Sequence, residues 1–219
     1  MDGMDTSAVY TFGDSILDCS TYTGGPTPGA LLATNDDDLF PEFRGRDLST
    51  ALGREIPVVH RAEDGATVAA LPLQIGAGPV PKGALTMLTI GGNDLLQGLS
   101  RGAFSLERLG EALRGALARL SGTQLFVGNV YDPSFGDDAH ASLSDYLGVQ
   151  PVIARRAYGA VNGILRAEVA TAGGVLVDLH AHFLTGDPSW FTRVIEPSLI
   201  GASEVRRAFL AAWEESVGR

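Results

Sequence analysis

Residues 8–17 read Ala8-Val9-Tyr10-Thr11-Phe12-Gly13-Asp14-Ser15-Ile16-Leu17. Positions 8–12 are an uncharged, β-rich apolar run, the pattern of a strand buried on both faces of a parallel sheet. The run ends directly at Gly13-Asp14-Ser15. The serine therefore sits at the carboxyl end of a buried strand where a helix is about to begin. There its hydroxyl can face a cleft, with helix-start amides nearby to favour developing negative charge. The plain alternative is that Ser15 only caps the next helix, since Asp and Ser are favoured there regardless of chemistry.

Outward from this stretch, similar runs at 56–59, 85–90, 124–130 and 174–179 alternate with segments of helical spacing. Five such strands with intervening helices predict a doubly wound α/β/α sandwich around a parallel sheet. The clearest helices are 106–120, with Leu106, Leu109, Leu113, Leu117 and Leu120 on one stripe, then 152–172 and about 202–217. Ser105 is placed to cap the first of them. Three irregular stretches, 21–38, 76–83 and 131–150, are rich in Gly, Pro, Ser or Asp. Connections leaving the carboxyl ends of strands build the site in open α/β sheets. The first and last of these stretches are thus expected to wall a pocket above strands one and four.

With 45% hydrophobic residues and no internal repeat or linker, residues 1–219 are read as one domain. Sixteen basic residues against 26 acidic give a net charge of -10. That charge repels phosphate backbones and anionic membrane surfaces, so nucleic-acid and membrane-surface roles are not expected. No run of about 18 apolar residues is present to span a bilayer. The single cysteine, Cys19, has no partner for an internal disulfide, and the acidic N-terminus lacks a cationic stretch before an apolar segment. The expectation is a cytoplasmic protein, with Cys19 serving packing.

Two further glycine-bearing turns follow predicted strands: Asp64-Gly65-Ala66-Thr67 after the second and Gly91-Gly92-Asn93-Asp94 after the third. In order and spacing these blocks resemble the SGNH/GDSL hydrolases. The resemblance runs from strand one to the final helix and implies a flavodoxin-like fold of strand order 2-1-3-4-5. It also implies Ser15 as nucleophile, with the amides of Ser15 and Gly65 and Asn93 Nδ2 as an oxyanion hole, and a small-molecule acyl ester as partner. Acyl transfer needs a nucleophile with such preorganised donors. No metal or cofactor is called for. The classes implied are esterase, thioesterase, lipase and carbohydrate deacetylase. Asp94 is read as tying down a loop.

The last block departs from that pattern. Where the family carries Asp-x-x-His-Pro, this chain reads Arg193-Val194-Ile195-Glu196-Pro197. Arg193 replaces the orienting acid and Glu196 the base, and a serine hydroxyl without a base is a poor nucleophile. The four histidines are His60, His140, His180 and His182. Asp178, His180 and His182 are read as alternating on one face where strand five ends. The favoured arrangement takes His182 as base oriented by Glu196. Glu196 alone, His180 and His140 remain as alternative bases. The rival function is a degenerate member that binds an acylated or carbohydrate ligand without turnover.

Overall fold

The computed structural model describes residues 6–101 and 104–218, with the backbone alone at 99–101. Residues 1–5 of the acidic N-terminus lie outside it. Five parallel strands, β1 (Val9–Gly13), β2 (Val58–His60), β3 (Leu85–Thr89), β4 (Gln124–Gly128) and β5 (Val175–Val177), form one sheet in the order 2-1-3-4-5. A small antiparallel hairpin pairs β6 (Phe191–Thr192) with β7 (Glu196–Pro197). The helices are α1 (Ser20–Thr23), α2 (Pro28–Ala33), α3 (Leu48–Leu52), α4 (Leu71–Gly76) and α5 (Gly92–Arg101). They continue with α6 (Leu106–Ala118), α7 (Ala141–Leu147), α8 (Pro151–Thr171), α9 (Leu179–Phe183) and α10 (Leu199–Val217).

The two-residue period of the strands sorts their side chains into two cores. Tyr10, Phe12, Leu88, Leu125 and Val127 pack with α4, α6 and α8 through residues such as Leu71, Leu113 and Leu165. Val9, Leu85, Met87, Phe126 and Val177 pack on the opposite face with Leu31 and Leu32 of α2, Phe183 of α9, and Phe209 and Trp213 of α10. Both faces are covered, which is why β1 and β3 are buried along their whole length. Ser105 caps α6 by accepting from Arg108 N at 3.3 Å. No helix among the described residues is long and apolar enough to cross a membrane.

Strand five is shorter than the sequence pattern suggests. It ends at Val177, and Asp178 accepts from Ala181 N at 3.0 Å to start α9, so His180 and His182 lie on a helix and do not alternate on a strand face. The helix expected right after Ser15 is a single turn, with Leu17 N and Asp18 N both donating to Asp14 O at 3.1 Å, and α1 begins only at Ser20.

Parallel register aligns the carboxyl ends: Gly13 pairs with Thr89, and Thr89 with Gly128. Gly13 has φ +110°, and a Cβ there would lie 1.7 Å from Thr89 O. No side chain fits at this crossing. Gly13→Ala is therefore expected to cost roughly 2–5 kcal/mol, combining backbone strain with a backbone clash. Gly148, a helix C-cap with φ +67° and open space around it, should lose only about 1 kcal/mol on the same change. Urea unfolding of the two variants measures the difference, and equal losses would contradict it.

Candidate active site

The carboxyl end of β1 is held from several sides. Asp14 N donates to Thr89 O at 3.1 Å, and Thr89 Oγ1 donates to Asp14 Oδ1 at 2.7 Å. The Gln74 side chain clamps Gly13, accepting from its N at 2.7 Å and donating to its O at 3.0 Å. These bonds fix the chain immediately before Ser15. The serine is 7% exposed and faces a cleft with Asn93, Tyr131, Ile195 and Glu196. Leu96, Val130, Leu147 and Tyr158 give the cleft an apolar wall. The wall draws on the loop after β4 and on α7, as the irregular stretch 131–150 suggested; the stretch 21–38 contributes none of the lining residues.

Glu196 arrives from the other side on the β6–β7 hairpin. Thr192 pairs with Glu196 across that hairpin, and the buried Tyr131 hydroxyl donates to Ile195 O at 2.7 Å. The side chain of Glu196 lines the cleft together with Ser15. Burial raises the Glu196 pKa, the neighbouring Ser15 hydroxyl lowers it, the Asp64 charge raises it and Arg193 lowers it, for a net upward shift.

Asn93 opens α5 and donates from Nδ2 to Ala66 O at 3.0 Å, drawing the turn after β2 toward the cleft. An amide NH2 carries two hydrogens, so one donor of Asn93 remains for another acceptor. Asp94 accepts from Val68 N at 3.0 and 3.2 Å and ties that turn down. Gly65 is exposed at the turn, with φ +75°, and is not one of the residues lining the cleft. Among the described residues, the N–H groups of Ser15 and Gly65 have no acceptor.

No histidine lines the cleft. His182 Nε2 bonds Glu204 Oε2 of α10 at 2.9 Å, and its ring lies 5.3 Å from that of Trp190. The pairing of His182 with Glu196 is therefore corrected: α9 turns the ring toward α10, where Glu204 holds it together with Arg207. His60 bonds Thr11 Oγ1 at 2.6 Å and Asp18 at 3.2 Å, and His140 caps α7 by accepting from Leu143 N at 3.2 Å. His180 Nδ1 is buried without a partner among the described residues. Cys19 is buried, and burial pushes its thiol up to about 12. The residues that motif reading passed over are Tyr131 and Gln74, whose roles depend on contacts far apart in sequence.

The profile of the GDSL-like lipase/acylhydrolase family matches residues 11–199. The chain belongs to that family. Membership makes it a hydrolase of the esterase and lipase type. Among solved structures, it is similar to Axe2, an acetylxylan esterase from Geobacillus stearothermophilus, at 18% identity and TM-score 0.68, covering 99% of this chain and 97% of that one. It is also similar to LAE5, an alpha/beta hydrolase enzyme from the metagenome of Lake Arreo, at 20% identity and TM-score 0.63, covering 96% and 97%. Identities this low carry the fold alone. No curated protein matches the sequence.

Asp14 is 2% exposed, and its carboxyl is pushed up to about 7 by burial and by the charges of Glu196 and Asp94, against hydrogen bonds from Thr89 and Ile16. An unfolded aspartate titrates near 3.9, so between about pH 4 and 7 the folded protein holds a proton that the unfolded chain has released. Stability contributed by this group is thus lost as pH rises through that window. Asp14→Asn should flatten this part of the stability profile, measured by urea unfolding at pH 4.5 and 7. A variant with the wild-type slope would show that Asp14 does not hold the proton.

Proposed function

We propose that the protein cleaves an ester or related acyl bond through an acyl-enzyme on Ser15, with Glu196 as general base in place of a histidine. The observation that supports this most is that Ser15 and Glu196 line one cleft while no histidine does, with Tyr131 holding the hairpin that carries Glu196. Glu196 takes the serine proton as Oγ attacks the acyl carbon, and returns it to the leaving oxygen as the acyl–oxygen bond breaks. Water then attacks the acyl-enzyme, losing its proton to Glu196, which passes it to Ser15 Oγ as the acyl–Oγ bond breaks and the acid is released. The oxyanion formed in each half is met by Ser15 N–H and by the spare Asn93 Nδ2 hydrogen, and Gly65 N–H serves as a third donor only if the turn after β2 closes toward the cleft on substrate binding.

A carboxylate base has no tautomer for a third residue to choose, which is the task the orienting acid performs for a histidine. That makes the missing Asp-x-x-His compatible with turnover. The acid limb of kcat/KM should lie above the value of an ordinary glutamate, in the direction of the Glu196 shift.

The test is hydrolysis of p-nitrophenyl acetate together with fluorophosphonate labelling. Ser15→Ala should abolish both, and Glu196→Gln should lower kcat by at least about a thousandfold, as for loss of a serine's base. Asn93→Ala should lower it by roughly one hundred to one thousandfold. His182→Ala should keep turnover within about threefold, because the ring has no contact with Ser15 and affects catalysis only through the packing of α9. A folded wild type that neither labels nor turns over would favour the ligand-binding reading. Loss of turnover in His182→Ala with Glu196→Gln active would reverse the assignment of the base.

A further inference from the structure

The cleft straddles the two cores of the molecule. Ile16 and Tyr131 belong to the core that also packs Phe191 of the β6–β7 hairpin, and the Tyr131 and Phe191 rings lie 5.1 Å apart. Val130 and Tyr158 belong to the opposite core, with Leu147 packed against it. This second wall adjoins the turn that carries Asn93. A Cβ on Gly92 would lie 4.0 Å from the Val130 side chain, and Leu96 follows Asn93 by one turn of α5. Glu196 thus enters from one side of the cleft, and the side formed by Leu96, Val130, Leu147 and Tyr158 is apolar.

Helix α8 keeps that apolar side from yielding. The buried Asn162 side chain accepts from Val130 N at 2.9 Å and donates to Val130 O at 2.8 Å, and Arg155 Nε donates to the Asp132 carboxylate at 2.8 Å. The chain is therefore pinned on both sides of Tyr131. Tyr158, three residues after Arg155 and four before Asn162, shares their face of α8 and is 5% exposed. The cleft has a volume of about 50 Å³. One water-sized group needs roughly 10–15 Å³, so there is room for about three to five such groups.

The reacting carbon of an ester bears an oxygen that becomes the oxyanion, a leaving oxygen and an acyl chain. The oxyanion belongs at Ser15 N and Asn93 Nδ2. The leaving oxygen takes its proton from Glu196 and so lies on the hairpin side. The apolar wall is left for the acyl chain. Resting on the Ser15–Glu196 reading above, we propose that Leu96, Val130, Leu147 and Tyr158 form an acyl pocket that fits the protein for esters of short, unbranched carboxylic acids, acetyl to butyryl, with Leu147 limiting the chain length. The acyl carbon, its oxygen and one to three further carbons fill the space, and later methylenes gain no burial there.

The experiment varies the two halves of the ester separately. Acetate, butyrate and octanoate esters of p-nitrophenol change the acyl chain, and ethyl and octyl acetate change the alcohol. Wild-type kcat/KM should be highest for acetate or butyrate and at least about tenfold lower for octanoate. Leu147→Ala should raise octanoate relative to acetate by about tenfold, and Leu147→Phe should lower butyrate relative to acetate. In both variants the ratio of octyl to ethyl acetate should stay at the wild-type value. Should Leu147→Ala fail to fold, Leu96→Ala reads the same wall. A wild type that prefers octanoate overturns the proposal, as does a folded Leu147→Ala that keeps the wild-type acyl profile or alters the alcohol ratio instead. Ser15→Ala and Glu196→Gln are assayed on p-nitrophenyl acetate alongside. If both are inactive while the acyl profile does not move with Leu147, this inference alone fails. If Glu196→Gln turns over, the Ser15–Glu196 reading fails, and the acyl side assigned from it fails too.

Discussion

At the crossing of β1 and β3, Gly13 lies so close to Thr89 that a Cβ would come within 1.7 Å of the Thr89 carbonyl oxygen. The same threonine receives the Asp14 amide at 3.1 Å and donates its hydroxyl to the Asp14 carboxylate at 2.7 Å. One residue of β3 therefore sets the height and direction of the turn that carries Ser15. Because β3 runs on directly into Gly91-Gly92-Asn93, the nucleophile and the side-chain amide beside it share one reference point. A shift of β1 against β3 would separate Ser15 from Asn93 and, through Ala66, from the turn after β2.

The opposite wall is set by different physics. The hairpin that brings Glu196 has only two ladder residues on each side and a tip at positive φ, so local preference does not hold it. It is fixed by Tyr131 from below and by the start of α10, where Gly201 lacks a Cβ that would meet Trp190 O at 2.0 Å. The aromatic cluster of Tyr131, Phe183, Phe191 and Trp190 fills the space between α9 and the hairpin, with His182 on its flank. His182 thus packs on the flank of that cluster, while Glu196 lines the cleft with the serine.

Much of this was legible in the sequence where one local rule governs the outcome. Apolar strands alternating with helical segments and the leucine stripe of α6 gave the layers, since both faces of the sheet had to be covered, while the strand order came with the family resemblance. The blocks around Ser15 and Asn93 were readable because each follows a buried strand directly. Strand two was placed too early: Pro57 has no N–H for the ladder, and pairing starts at Val58. His182 was misplaced for a related reason. An Asp three residues before an amide it can cap is a helix start, so Asp178 closes β5 and turns both histidines away. That Glu204, a full turn into α10, would be waiting for His182 depends on packing between α9 and α10 that no local pattern records. Gln74 and Tyr131 act across 61 and 64 positions of chain, which is why motif reading passes over them.

Whether Glu196, and no histidine, serves Ser15 is decided by a crystal structure of the protein after reaction with a small alkyl fluorophosphonate. With Glu196 as the base, the phosphorus is expected on Ser15 Oγ, its phosphoryl oxygen within hydrogen-bond distance of Ser15 N and Asn93 Nδ2, the Glu196 carboxylate against the serine oxygen, and His182 still on Glu204. A structure with an imidazole at the serine oxygen and Glu196 turned away would contradict it.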